Sequence, residues 1–265
     1  MKYLIVSGDS NTTDDFDSIS HPDKNFSYKK WPTLLGEKLG MKVINLAGAG
    51  QGNEFIYTTI RDEIVKIEDK NQIGLVIAAW TEAPRRDFKK FISIFNYWSD
   101  KDVSPWSSLR IDTHGTLPWW VDRSLGYYLD FEILCERYNI PYVQFQMIEL
   151  FEDYLKGYSS QTEKHHGADP DKQKKYPGIK KKDEELALKS IMKYKKKLDT
   201  SKFMGWPPVK KLGGWTFKDQ LDLWYDKNSP RRVSTLDDHP NELGHIAICN
   251  KLIMLLQEYN ICKTS

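Results

Sequence analysis

The sequence predicts an α/β fold in which a doubly wound parallel sheet lies between two layers of helix. Short apolar runs alternate with longer segments of helical period, which is the pattern of strands joined by crossover helices. The first two runs end in glycine-containing turns, and beyond about residue 156 no clean apolar period marks a second core.

Each element follows from its own pattern. Residues 2–6 form the first strand and lead into Gly8-Asp9-Ser10. The segment 31–39 is amphipathic and reads as helix. Residues 42–46 form the second strand, which runs into Ala47-Gly48-Ala49-Gly50-Gln51-Gly52. Ile56, Ile60, Ile64 and Ile67 share one face of a helix over 55–67. Residues 73–80 are almost wholly apolar, as a strand covered on both faces must be. Leu125, Leu129 and Ile133 mark a helix over 122–138, and residues 142–145 form a fourth strand. Leu243, Ile246, Ile253 and Leu256 mark a last helix over 240–259, started by Asn241 or Pro240.

The stretch 156–233 reads as an insertion within a single domain spanning 1–265, a lid or substrate-facing arm. It holds His165-His166, lysines gathered between Lys172 and Lys197, a helix over 183–198, and Trp206, Trp215 and Trp224.

Charge and cysteine content narrow the function classes. With 39 Lys+Arg against 37 Asp+Glu the net charge is +2, so there is no whole-molecule field of the kind that draws in nucleic acid or a membrane surface. The apolar runs are far shorter than the roughly 20 residues a bilayer span needs. The start of the chain reaches Gly8-Asp9-Ser10 too early for a signal peptide, so a cytoplasmic location is expected. Cys135, Cys249 and Cys262 are odd in number and lack metal-ligand spacing, so neither a disulfide framework nor a structural metal is expected.

In open α/β sheets ligands bind beyond the carboxyl ends of the strands, which directs attention to loops 8–13, 47–53, 80–86 and 146–149. Ser10 stands in the first of these. A serine hydroxyl needs an adjacent base to act as a nucleophile, and His239 in Asp237-Asp238-His239-Pro240-Asn241 is the candidate. A carboxylate beside that histidine would fix its tautomer and stabilise the imidazolium. Asp237 is favoured over Asp238, because a side chain adjacent in sequence tends to point away from the histidine. His245, six residues after His239, is off the helical face of a two-histidine metal site and reads as a partly buried helix residue.

Gly8-Asp9-Ser10, then Asn45-Leu46-Ala47-Gly48-Ala49-Gly50, then Asp237-Asp238-His239-Pro240 resemble, in this order, three motif blocks of the SGNH (GDSL-like) hydrolases. The resemblance implies a flavodoxin-like three-layer sandwich. It also implies Ser10 as nucleophile, the amides of Ser10 and Gly50 as oxyanion donors, and Asp237 and His239 as acid and base, with no metal or organic cofactor. Two departures stand out. The family's third block carries an asparagine that donates to the oxyanion, whereas this chain reads Ile77-Ala78-Ala79-Trp80-Thr81-Glu82. Asn53 is the expected substitute, with Thr81 second. The family also commonly places the acid three residues before the histidine, where this chain has Leu236.

The expected activity is that of a serine esterase or deacylase. Asp9, Asn11, Trp80, Thr81 and Arg85, on the loops after the first and third strands, are the expected substrate contacts, and Arg85-Arg86-Asp87 offers a place for an anionic group. The substrate is expected to be a small-molecule or glycan ester, with Trp119, Trp120, Trp206, Trp215 and Trp224 lining a sugar cleft. An O-acyltransferase using the same acyl-serine is a second reading, and a binding protein on the same scaffold is a third.

Overall fold

The computed structural model describes residues 1–18, 20–85, 87, 115–151, 181–223 and 230–261. Five parallel strands form one sheet: β1 (Tyr3–Ser7), β2 (Lys42–Asn45), β3 (Ile73–Trp80), β4 (Tyr142–Gln146) and β5 (Phe203–Met204), in the order β2-β1-β3-β4-β5. The order reverses between β1 and β3, and a crevice at such a reversal is where this class of sheet holds its ligands.

The described helices are α1 (Trp31–Leu39), α2 (Asn53–Lys66), α3 (Leu117–Arg137), α4 (Lys181–Tyr194), α5 (Phe217–Leu223) and α6 (Glu242–Glu258). Side-chain parity along the strands sorts them into two layers. Leu75, Ile77 and Ala79 of β3 join Leu4, Val6, Val143 and Phe145 on the face covered by α1, α5 and α6. Val76, Ala78 and Trp80 join Ile5 and Tyr142 on the face covered by α2, α3 and α4. Every residue of β3 is buried, which accounts for its unbroken apolar run. Each fully buried Leu, Ile or Phe contributes about 1.5–3 kcal/mol, so the two clusters are the main source of stability.

Residues 181–223 are more than an addition to the sandwich. Within the stretch expected as an insertion, α4 packs Ala187 and Ile191 into the core, and β5 pairs Phe203 and Met204 with Gln144 and Phe145. A two-residue strand has no period to read, and only its pairing reveals it. Arg86, His165-His166, the lysines from Lys172 to Lys180, Trp224 and Cys262 lie outside the described residues. Cys135 and Cys249 are buried free thiols. Among the described residues, no helix is long and apolar enough to cross a membrane.

Candidate active site

The loop after β1 is built to expose Ser10. The Asp9 carbonyl accepts the amides of Thr12 (2.9 Å) and Thr13 (3.1 Å), while Asp9 Oδ1 accepts the Asn11 amide at 3.0 Å. This tight turn leaves Ser10 at its apex, at the carboxyl edge of the sheet. The neighbouring Gly-rich turn is tied to it, because Gly48 N donates to Gly8 O (3.1 Å) and Asn45 Nδ2 donates to Thr12 O (2.9 Å). Gly50 sits in that turn at φ 73°, a left-handed conformation that side chains disfavour. Among the described residues, neither the Ser10 nor the Gly50 amide donates to an internal acceptor.

The histidine arrives from the other end of the chain on a second compact loop. Val233 N donates to His239 O (2.9 Å), Ser234 N to Asp237 O (3.0 Å) and Asn241 N to Arg231 O (3.0 Å). Asn241 then caps α6 by accepting the Gly244 amide at 2.9 Å, so one residue closes the loop and starts the helix. Ser10 Oγ lies 2.7 Å from His239 Nε2, and His239 Nδ1 lies 2.6 Å from Asp237 Oδ1. With Asp237 ionised, Nδ1 carries the ring proton and Nε2 is the acceptor for the Ser10 hydroxyl. The Phe16 ring packs on the imidazole with centroids 4.5 Å apart.

Asp237 and Asp238 have separate tasks. Burial alone would raise the Asp237 pKa, but hydrogen bonds and charge from His239, with a further hydrogen bond from Ser18, hold it well below the usual carboxylate range. Asp238 pairs instead with Lys218 Nζ at 2.5 Å, and Lys218, with the charges of His239 and Arg232, more than offsets its burial. His245 is buried and accepts the first amide of α1, Trp31 N, at 3.2 Å. Burial, helped by the charges of Lys30 and His239, pushes its pKa down to about 3, so it stays neutral.

Several expected contacts turn out to be scaffolding. Asn53 is buried, and its amide nitrogen donates to Thr81 O (3.1 Å) and Ser124 Oγ (3.0 Å) while its oxygen accepts Thr81 N (2.9 Å). Both amide hydrogens are spent, which leaves none for an oxyanion. Thr81 Oγ1 donates to Asp9 Oδ2 at 3.0 Å and is equally occupied. Asp9 itself is fully buried and also holds Arg85 at 3.2 Å and the Asn11 side chain at 3.0 Å, so it supports the turn from beneath. Arg85 further bonds Glu82 Oε2 (2.8 Å) and Gln51 O (3.2 Å), bridging the loops that carry Ser10 and Gly50. Trp80 lies in the core, donating to Gln144 and stacked on Tyr128. Asp87 accepts the amides of Gly52 (2.6 Å) and Phe55 (2.8 Å), capping α2.

The expected aromatic cleft is also dispersed. Trp120 is buried, Trp206 packs edge-on to Phe203, and Trp215 packs against Phe217, leaving Trp119 exposed with Arg123 over its ring. Sequence reasoning missed Ser18, Phe16 and Lys218. Ser18 and Phe16 are an ordinary loop serine and phenylalanine until the fold brings residue 237 beside them.

No family model and no curated protein matches the chain. Solved structures align along nearly all of it. A lipolytic protein of the G-D-S-L family from Desulfitobacterium hafniense aligns over 97% of this chain and 100% of its own, at 13% identity and TM-score 0.45. The psychrotrophic esterase EstA from Pseudoalteromonas sp., inhibited by monoethylphosphonate, aligns over 98% of both chains at 10% identity and TM-score 0.49. An acetyl xylan esterase aligns over 95% of this chain and 98% of its own, at 13% identity and TM-score 0.41. None of these likenesses, at such identities and TM-scores, bears on what the chain does.

Proposed function

We propose that the chain is a serine hydrolase of the SGNH type, cleaving an ester through an acyl-serine intermediate. The hydrogen-bonded line from Ser10 Oγ through His239 to Asp237, at 2.7 and 2.6 Å, carries this reading. His239 Nε2 takes the Ser10 proton as Oγ attacks the ester carbonyl, and Asp237 stabilises the imidazolium that results. The developing oxyanion is received by the amides of Ser10 and Gly50. Nε2 then returns its proton to the leaving alcohol. Water, deprotonated by the same nitrogen, releases the acid and restores Ser10.

With Asn53 and Thr81 both engaged elsewhere, the two amides stand without a side-chain donor from either expected candidate. One such donor is worth about 10²–10³ in rate, so turnover favours esters with good leaving groups, in which less charge must be stabilised. The substrate class is a small-molecule or glycan ester.

Labelling with a fluorophosphonate, followed by mass location of the adduct, tests the proposal. Modification of Ser10 that is absent in Ser10→Ala and strongly reduced in His239→Ala is expected. A folded wild type that resists labelling would turn the reading to a binding protein on the same scaffold, which the engagement of Asn53 and Thr81 elsewhere favours.

A further inference from the structure

We infer that Ser18 is a positioning residue for the acid–base pair, holding the second carboxylate oxygen of Asp237 and sharing the charge that reaches His239. The inference rests on the acyl-serine reading and deepens it. Asp237 precedes its histidine by two residues, and at this short spacing a single oxygen does all the local work. Oδ1 accepts both the His239 backbone amide (3.1 Å) and Nδ1 (2.6 Å). The other oxygen, Oδ2, accepts the Ser18 hydroxyl. Asp237 is only 6% exposed and Ser18 only 3%, so bulk water does not substitute for that donor.

Ser18 is well placed for such a task. It lies eight residues after Ser10 on the same connection, which also supplies Phe16 under the imidazole. One segment therefore carries the nucleophile and both supports of the pair that activates it. A hydroxyl donating to a carboxylate lowers its basicity. Without it, more of the negative charge is directed at Nδ1 and the imidazolium is over-stabilised. The freed Oδ2 also loses its partner in a buried place, so the carboxylate is less firmly held.

The charged and titratable groups around the pair are otherwise committed. Asp238 is paired with Lys218, and its carbonyl accepts Arg232. On the side of α1 and α6, burial first, then Asp237 and Glu242, push the Tyr28 phenol up to about 12, while His245 is neutral. Lys30 donates to Phe26 O, with Asp14 and Asp17 the nearest acids acting on it. His21 bonds Ser234 Oγ at 2.6 Å and touches the pair only through that turn.

The test is the rate of Ser10 phosphonylation by a fluorophosphonate between about pH 5 and pH 9, in wild type, Ser18→Ala, Ser18→Thr and His21→Gln. Ser18→Ala is expected to label about 10- to 10²-fold more slowly, with the acid limb of its profile raised by about half a pH unit. Ser18→Thr, which keeps the hydroxyl, should restore both. Ser18→Cys, close in volume but a weaker donor, replaces the alanine variant if that fails to fold. An acid limb that stays in place or moves down in the folded variant overturns the inference, as does a limb that vanishes in His21→Gln. Failure of wild-type Ser10 to label at all would instead remove the acyl-serine reading.

Discussion

Asn53→Ala separates two roles that the sequence alone cannot. If the side chain donated to an oxyanion, its loss would slow turnover by about 10²–10³ and leave the fold intact. In the structure it makes three internal hydrogen bonds, to Thr81 N, Thr81 O and Ser124 Oγ. Their loss is uneven. Thr81 O keeps Gln146 Nε2 at 2.7 Å, and the Ser124 hydroxyl can rotate, but the fully buried Thr81 N–H is orphaned. An orphaned buried donor costs about 1–3 kcal/mol and the other two lost bonds about 1 each, so the variant is expected to lose about 3–5 kcal/mol. Against a total of about 5–15 kcal/mol this is a large fraction. For a chain of this size it lowers Tm by roughly 6–20 °C. Differential scanning calorimetry reads the Tm, and phosphonylation of Ser10 well below it reads the site. A variant with wild-type Tm and a labelling rate reduced 10²-fold or more would refute the reasoning and return Asn53 to the oxyanion.

Three further outcomes follow from the same geometry. His245 is held near pKa 3 in the folded chain, against about 6.5 when unfolded, so between these values the unfolded chain binds a proton that the folded one refuses. Stability should therefore fall as pH drops from about 6.5 toward 3, and His245→Gln should make that slope shallower in denaturant titrations. Asp237 has its folded pKa depressed, so its stabilising contribution is present above about pH 4 and is lost as pH falls through the folded value. Asp237→Asn should then be less stable than wild type at neutral pH, with the gap closing below about pH 4, and should label about 10³–10⁴-fold more slowly. A methyl on Gly244 would stand 2.2 Å from Arg231 O and 2.8 Å from Pro240 Cβ, so Gly244→Ala must displace the backbone that presents His239. It should cost about 1–3 kcal/mol and reduce labelling more than a substitution at the outer face of α6, such as Met254→Ala; equal labelling by the two variants would contradict it.

The sequence by itself determined the architecture, because the information is local. Unbroken apolar residues over 73–80 and the isoleucines at 56, 60 and 64 state which faces must be covered, and the strands and helices formed where those periods lie. The same local logic put Ser10 and His239 at strand and loop ends, while Gly50 followed from the motif resemblance. What each surrounding polar residue does was decided only by tertiary structure. Asn53 meets Thr81 across 28 positions, and Ser18 meets Asp237 across 219. β5 exists only as a pairing with β4, and Arg85 reaches Asp9 and Gln51. A hydrogen bond is a short-range, directional contact between two particular atoms. No periodicity in the chain encodes which distant atom will arrive within 3 Å of a given donor; only the packed sheet and its helices bring them there.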